Sequence, residues 1–448
     1  MLLAAALVVL GAGADVLPTA QHLAWADCEV GVIIHHDLQV YQPAYDHNRD
    51  WTNAPSAAVF NPSSLDTDQW IETAAAAGAK YAVLVAKHCS GFALWPTRAH
   101  DYSVAASPWR GGKGDVVADF VASCRKYGVR PGIYASVGFA AKFGIGKGAV
   151  DDAKWNAWVA SIKTQLTELW TNYGELFEIW FDGGNLPLDK GGREIEDILL
   201  RLQPNAVVFQ GNPARFSSVR WIGNERAHAP EICWCRTNAG TSSDGMKEAA
   251  GAKYSGTFDG RFWSPGEADM PNRDQNHAFQ GGWFWRAGED DLAYAPEELL
   301  DRYFLSVGRG CNMLLGMVID DRGLVPEADV EKFKAFGNLV KRLYANKVAA
   351  ASGRSRSFTV EVPADARPNL LSVAEDIREG ENVRSFTLHG FDGRHWHTLA
   401  TGQGIGHKRI VRFRPGKYEK YKLDCWDARD WRVPVIRDFS LYEVGSAK

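Results

Sequence analysis

The residues most able to do chemistry begin with a stretch reading ELFEIWFDGGN, from Glu175 to Asn185. Leu176 to Phe181 is apolar except for Glu178, and the run then ends on Asp182 and two glycines. A short apolar run of this kind reads as a buried strand. Glycines directly after it leave room for a ligand or an unusual backbone turn. An aspartate can also serve as a helix cap, but the next helical stretch starts near Gly192, ten positions on. A second carboxylate, Glu225, closes the stretch RWIGNE that starts at Arg220. Its structural alternative is a surface ion pair with Arg226. Two opposed carboxylates are what hydrolysis of a glycosidic bond requires. One attacks the sugar carbon, and the other protonates the leaving oxygen and then activates water. Retention of configuration sets them about 5 Å apart.

Histidines offer a rival chemistry. His35, Asp37 and His88 could ligate a metal, whereas His35 and His36 are neighbours and point to opposite faces of a strand. No further histidine pair completes such a set. Hydrogen bonding to sugar hydroxyls is the better role for His35 and His88, and neither a metal nor a cofactor is expected.

Elements that would position these groups alternate from about Glu29 to Tyr344. Strand-like runs cover 29–35, 80–88, 130–136, 176–182, 206–210, 220–224 and 312–317. Helix-like stretches cover 67–79, 115–127, 152–173, 193–202, 296–307 and 327–344. Repeated strand–helix alternation means parallel strands with crossover helices. Over some 300 residues it predicts a (β/α)8-like barrel, with a doubly wound open sheet as the alternative. The glycine-rich phosphate-binding motifs of nucleotide-binding sheets are missing from the sequence. In a barrel the C-terminal strand ends form the site. Here those ends carry His35, His88, Tyr134 with Ser136, Asp182, Gln210 with Asn212, and Asn224-Glu225. Beyond Ala350, strands without helices (357–362, 385–390, 396–400, 408–413, 420–425 and 436–443) predict a C-terminal β-sandwich. The expected domains are therefore a barrel at 15–349 and a sandwich at 350–448.

The chain has 448 residues, 46% hydrophobic and 23% charged, which is ample for a large core. A net charge of -4 without a basic cluster argues against nucleic acid as a partner. Residues 1–14, MLLAAALVVLGAGA, read as a signal peptide that is too short to span a membrane. They predict a secreted or periplasmic protein with no membrane association, although no basic residue precedes the apolar core. Seven cysteines, Cys28, Cys89, Cys124, Cys233, Cys235, Cys311 and Cys425, are odd in number and scattered, so no disulfide framework follows.

Several segments, in order, resemble glycoside hydrolase family 29, the α-L-fucosidases. They are FNPSSLDTDQW from Phe60, AKYAVLVAKH from Ala79, GFALWP from Gly91, DYSV from Asp101 with GKGD from Gly112, and QLTEL from Gln165. FEIWFDG from Phe177, RWIGNE from Arg220, SVGRG from Ser306 and NMLL from Asn312 complete the series. The resemblance covers nearly the whole barrel. It implies a retaining double displacement, with Asp182 as nucleophile and Glu225 as acid/base. Their spacing is similar to that of the branch preferring α-1,3/1,4-fucosyl linkages. Sugar-binding positions carry over to His35, Trp51, His88 and Tyr134, and Trp283 is read as a wall against the C6 methyl of fucose. The implied partner is a fucosylated glycan or oligosaccharide, and the implied activity is exo-acting release of terminal α-L-fucose.

Departures fall on the sugar contacts. The usual His-His-Asp-Gly-Phe is His88-Cys89-Ser90-Gly91-Phe92 here, and the usual Glu-Trp is Asp50-Trp51. An aromatic residue and glycine ordinarily follow the first histidine, where this chain has His36-Asp37. The alternatives are thus an α-L-galactosidase on the same scaffold, or a carbohydrate-binding protein without turnover. Sequence leaves the oligomeric state and the role of the sandwich open.

Overall fold

The computed structural model describes residues 15–47, 50–51, 53–238, 252–429 and 432–445. The segment read as a signal peptide lies outside the described residues. Eight parallel strands close into a barrel: β1 (Val30–His35), β2 (Tyr81–Lys87), β3 (Arg130–Ala135), β4 (Glu178–Trp180), β5 (Val207–Phe209), β6 (Ser217–Trp221), β9 (Gly266–Met270) and β10 (Asn312–Val318). A two-stranded hairpin, β7 (Arg236–Thr237) and β8 (Phe262–Trp263), lies in the excursion between β6 and β9. The helices are α1 (Ala20–Ala26), which packs Trp25 and Ala26 into the core inside the barrel, then α2 (Thr67–Ala76), α3 (Val116–Tyr127), α4 (Asp152–Asn172), α5 (Gly192–Leu202), the single turn α6 (Ala252–Ser255) between β7 and β8, α7 (Pro296–Leu305) and α8 (Glu327–Leu343).

Local sequence explains these elements. Strands covered on both faces read as continuous apolar runs, and every residue of β2 (YAVLVAK) and β10 (NMLLGMV) is buried. Aspartates start three of the helices by accepting backbone N–H groups: Asp66 from Asp68 at 2.9 Å, Asp115 from Ala118 at 2.9 Å and Asp151 from Lys154 at 2.8 Å. Inside the barrel, Gly31 must lack a side chain, because a Cβ there would lie 2.3 Å from the Tyr81 ring. The Tyr81 hydroxyl in turn donates to Glu267 Oε1 at 2.6 Å.

The β-sandwich pairs two antiparallel four-stranded sheets. One has the order β11 (Lys347–Arg354), β18 (Val435–Tyr442), β13 (Leu370–Glu375), β16 (Arg409–Arg412). The other has β12 (Ser357–Glu361), β17 (Lys420–Ala428), β14 (Val383–Phe391), β15 (Trp396–Gln403). Its own core includes Leu371, Phe386, Leu423 and Phe439. The sandwich engages residues just before β1 and β10: Lys408 Nζ donates to Glu29 at 2.6 Å, and the Ile410 N–H donates to Gly308 at 3.0 Å. Those contacts lie at the end of the barrel opposite the C-terminal strand ends.

Candidate active site

The C-terminal strand ends converge on a cavity of about 360 Å³ that includes His35, His88, Tyr134, Asp182, Glu225 and Trp283 in its lining. Six of the seven residues singled out from the sequence thus meet in one place. Trp51 does not line it. Its ring meets Phe139 at 6.2 Å and carries the Lys147 ammonium at 4.8 Å.

Asp182 lies two residues beyond β4. Gly183 and Gly184 follow with φ of 69° and 86°, a left-handed conformation that glycine adopts without strain. The turn closes through the Gly184 N–H to the Phe181 carbonyl at 3.2 Å. Tyr134, on β3, donates its hydroxyl to Asp182 Oδ2 at 3.0 Å. Burial raises the Asp182 carboxyl above the usual range, the Tyr134 hydroxyl partly offsets this, and the charge of Glu225 pushes it up further.

A column of rings fixes that arrangement from below. Tyr134 stacks on Trp180 at 5.3 Å, and Trp180 lies nearly parallel to Phe209 at 3.8 Å. The Trp180 indole N–H donates to Glu267 Oε2 at 3.0 Å. Glu267 and Glu178 face each other inside the barrel, and burial raises both carboxyls, so protonation of one relieves the pair.

Glu225 is placed differently. β6 ends at Trp221, and an Asx turn follows in which Asn224 Oδ1 accepts from the Arg226 N–H at 3.1 Å. Glu225 is exposed at the cavity mouth. Its Oε2 accepts from Trp283 Nε1 at 3.0 Å and from Gln275 Nε2 at 3.4 Å, the indole partner lying 58 positions away in sequence. Glu225 also lines a neighbouring open cleft of about 540 Å³ with Trp221, Asn224, Arg226, His228 and Gln275. One carboxyl is therefore enclosed, and the other stands between the inner cavity and an outer cleft.

Histidines complete the inner wall. His35 ends β1 and packs against Trp283 at 4.9 Å and Phe284 at 5.2 Å. His36 turns the other way, onto Phe60 and Trp70, and its Nε2 meets the Tyr41 hydroxyl at 2.6 Å. Burial holds the His35 imidazole down to about 3 and the His88 imidazole well below its ordinary value. Both are thus neutral near pH 7, with one ring nitrogen to donate and one to accept. The metal set His35–Asp37–His88 does not assemble. Asp37 Oδ1 instead accepts from the Leu38 N–H at 2.7 Å and from Ser90 Oγ at 2.8 Å. Among the described residues the group with metal-binding potential is His47, His88 and Cys89, whose donor atoms lie within 4.8 Å of one another.

Sequence reading missed several lining residues, including His47, Trp180, Asp269 and Phe284. Asp269, on β9, accepts from Trp221 Nε1 at 2.8 Å, and burial together with the Glu225 charge holds its carboxyl well above the usual range. A signal for it existed: Gly266-Glu-Ala-Asp-Met270 alternates ahead of a proline and places a carboxylate one residue before the strand ends.

Known proteins share this fold. The family model described as alpha-L-fucosidase matches residues 24–343. Alpha-L-fucosidase 1 of Arabidopsis thaliana is 30% identical over 438 residues, spanning 89% of this chain and 82% of that protein. A crystal structure from Bacteroides thetaiotaomicron VPI-5482, solved as a candidate α-L-fucosidase, is 33% identical and superposes with a TM-score of 0.89. The match covers 96% of this chain and 99% of that one. A glycoside hydrolase 29 family member from an unknown rumen bacterium is 28% identical with a TM-score of 0.82, over 96% of this chain and 78% of that one.

Proposed function

The chain belongs to the α-L-fucosidase family and is a glycoside hydrolase; on that premise we propose that it releases terminal α-L-fucose from branched glycans by a retaining double displacement. The observation that carries this reading is the pairing of an enclosed Asp182 with a mouth-facing Glu225 in one cavity. Asp182 attacks the anomeric carbon from the face opposite the leaving group and forms a glycosyl ester. Glu225 gives its proton to the departing glycan oxygen. It then takes a proton from water, which releases the sugar with its original configuration.

The surrounding groups have matching roles. The Tyr134 hydroxyl favours the ionised, attacking form of Asp182. Neutral His35 and His88 pair with sugar hydroxyls, and Trp283 both walls the sugar and holds Glu225 through its indole N–H. Two features support α-1,3/1,4 linkages: the spacing of the two carboxylates in sequence, and the outer cleft beside Glu225, which gives a branched aglycone somewhere to lie. The double displacement needs no metal.

The test is turnover of α-L-fucosyl and α-L-galactosyl substrates, both aryl and branched, with the product anomer followed by NMR. Release of α-L-fucose as the first product is expected, faster from branched 1,3/1,4-linked substrates. A preference for galactosides reassigns the sugar, β-anomer as first product overturns the double displacement, and binding without turnover overturns the catalytic reading.

A further inference from the structure

Away from the cavity, the Sγ of Cys233, a half-buried residue, lies 3.3 Å from the Sγ of buried Cys311. Cys233 belongs to the excursion after β6, and Cys311 immediately precedes β10. Arg220 Nη2 donates to Cys233 Sγ at 3.1 Å. The guanidinium and the second thiol therefore both meet one sulfur. The Cys311 thiol, foremost, and the Arg220 guanidinium pull the Cys233 thiol below its ordinary value, whereas Cys311 itself is held well above it. Cys235, two residues on, differs: burial first, with the charge of Glu381, raises it well above the usual thiol range.

The surroundings give this pair a structural position. Glu231 pairs with Arg309 of the barrel at 2.7 Å and with Arg409 of the sandwich. The Cys235 N–H donates to Glu381 Oε2, also of the sandwich, at 2.9 Å. The segment from Glu231 to Cys235 is thus the seam between the two domains.

We propose that Cys233 and Cys311 are a redox-modification site, a dithiol that small-molecule disulfides convert to a disulfide fastening the interdomain seam to β10. The Cys233 thiolate attacks one sulfur of the oxidant, the oxidant S–S bond breaks, and one thiolate leaves. Cys311 then gives up its proton and attacks the Cys233 sulfur of the mixed disulfide, expelling the second oxidant thiolate. Two protein thiols are oxidised, and one disulfide is reduced to two thiols. A disulfide bond is about 2 Å long, so the sulfurs need approach by little more than about 1 Å from their separation of 3.3 Å.

The experiment treats the folded full chain with oxidised glutathione, quenches with acid, and counts free thiols after denaturation. The count is expected to fall from seven to five. Peptide mapping is expected to give a Cys233–Cys311 cross-link, with fragmentation between Cys233 and Cys235 to separate the two positions. In Cys311→Ser the oxidant is expected to stop as a glutathione adduct on Cys233, and in Cys233→Ser no thiol is lost. The thermal midpoint of the oxidised wild type is expected to rise by several degrees and to return on reduction. Seven thiols retained by the folded wild type, or a cross-link through Cys235, overturns the site. A cross-link that forms without moving the midpoint overturns the fastening role. If a serine variant does not fold, the wild-type count and map decide.

Discussion

Tyr134→Phe isolates one hydrogen bond at the nucleophile. Phenylalanine keeps the ring that stacks on Trp180 at 5.3 Å and on His88 at 5.9 Å. It removes only the hydroxyl that donates to Asp182 Oδ2 at 3.0 Å. A hydrogen bond to a charged acceptor contributes about 1.5–3 kcal/mol, and about 1.4 kcal/mol corresponds to one pH unit in an ionisation. Asp182 attacks only when ionised, and the hydroxyl favours that form against the burial and the Glu225 charge that oppose it. Its loss therefore raises the pH needed for ionisation by about one to two units. The assay is kcat/KM for an α-L-fucoside across the acid-to-neutral range. The acid limb of the variant is expected to lie about one to two pH units above that of the wild type. On that limb the variant is expected to be about 10- to 100-fold slower at a given pH. A lowered plateau with an unmoved acid limb would refute the reasoning, because the hydroxyl would then not be holding the nucleophile's charge.

Two further predictions concern stability. Arg273 and Asp329 form a wholly buried ion pair at 2.7 Å that ties the segment after β9 to α8. Arg273→Met leaves an uncompensated buried carboxylate and is expected to cost about 3–5 kcal/mol in urea unfolding; a change near zero would contradict it. Burial holds His36 down to about 3. Its contribution to stability is complete above the ordinary histidine value of about 6.5 and is lost as pH falls from there toward about 3, because only the unfolded chain binds the proton in that window. His36→Gln removes this titration, so the stability gap between wild type and variant is expected to shrink by roughly 2 kcal/mol between about pH 7 and about pH 5. Urea melts of both proteins at the two pH values measure it, and a constant or widening gap would contradict the assignment.

The barrel was legible where strands are apolar throughout. The run read at 80–88 is hydrogen-bonded over Tyr81–Lys87, and that at 312–317 over Asn312–Val318. Seven such runs were visible where a closed barrel has eight strands, and the missing one is β9. Its sequence, GEADM, carries two acids, and a hydrophobic pattern passes over a strand whose carboxyls are buried against tyrosine and tryptophan donors. Asp269 was lost with it. The sixth strand was read at 220–224 but pairs over Ser217–Trp221, because its two serines made its first turn of chain look like loop. Glu225 accordingly stands four residues beyond the strand rather than at its tip, which suits a group at the cavity mouth. In the sandwich, β11 and β13 were not read. KVAAASGR is mostly exposed and rich in alanine, and LLSVAE is short and wholly buried, so neither alternates clearly.

Strand ends made most of the inner site legible, and Glu225 and Trp283 were legible in loops, whereas Trp180 and Asp269 on strands and His47 and Phe284 in loops were not. Asp182, His88 and Tyr134 follow directly from apolar runs, and the alternation argument separated His35 from His36 as the structure does. His47 sits in a loop with no periodicity, and its approach to His88 at 5.1 Å is a tertiary fact. Trp51 illustrates the converse: a loop position carried over by resemblance stands against Phe139 and Lys147 instead of lining the cavity.

Turnover by Asp182→Ala in the presence of azide tests the central claim most directly. The variant is expected to lose hydrolysis of an α-L-fucoside by at least about 10³-fold. Azide then enters the space vacated by the carboxylate and restores cleavage of activated substrates, with β-L-fucosyl azide as product. Retained hydrolysis in the folded variant, or a rescued product of α configuration, would contradict Asp182 as the nucleophile.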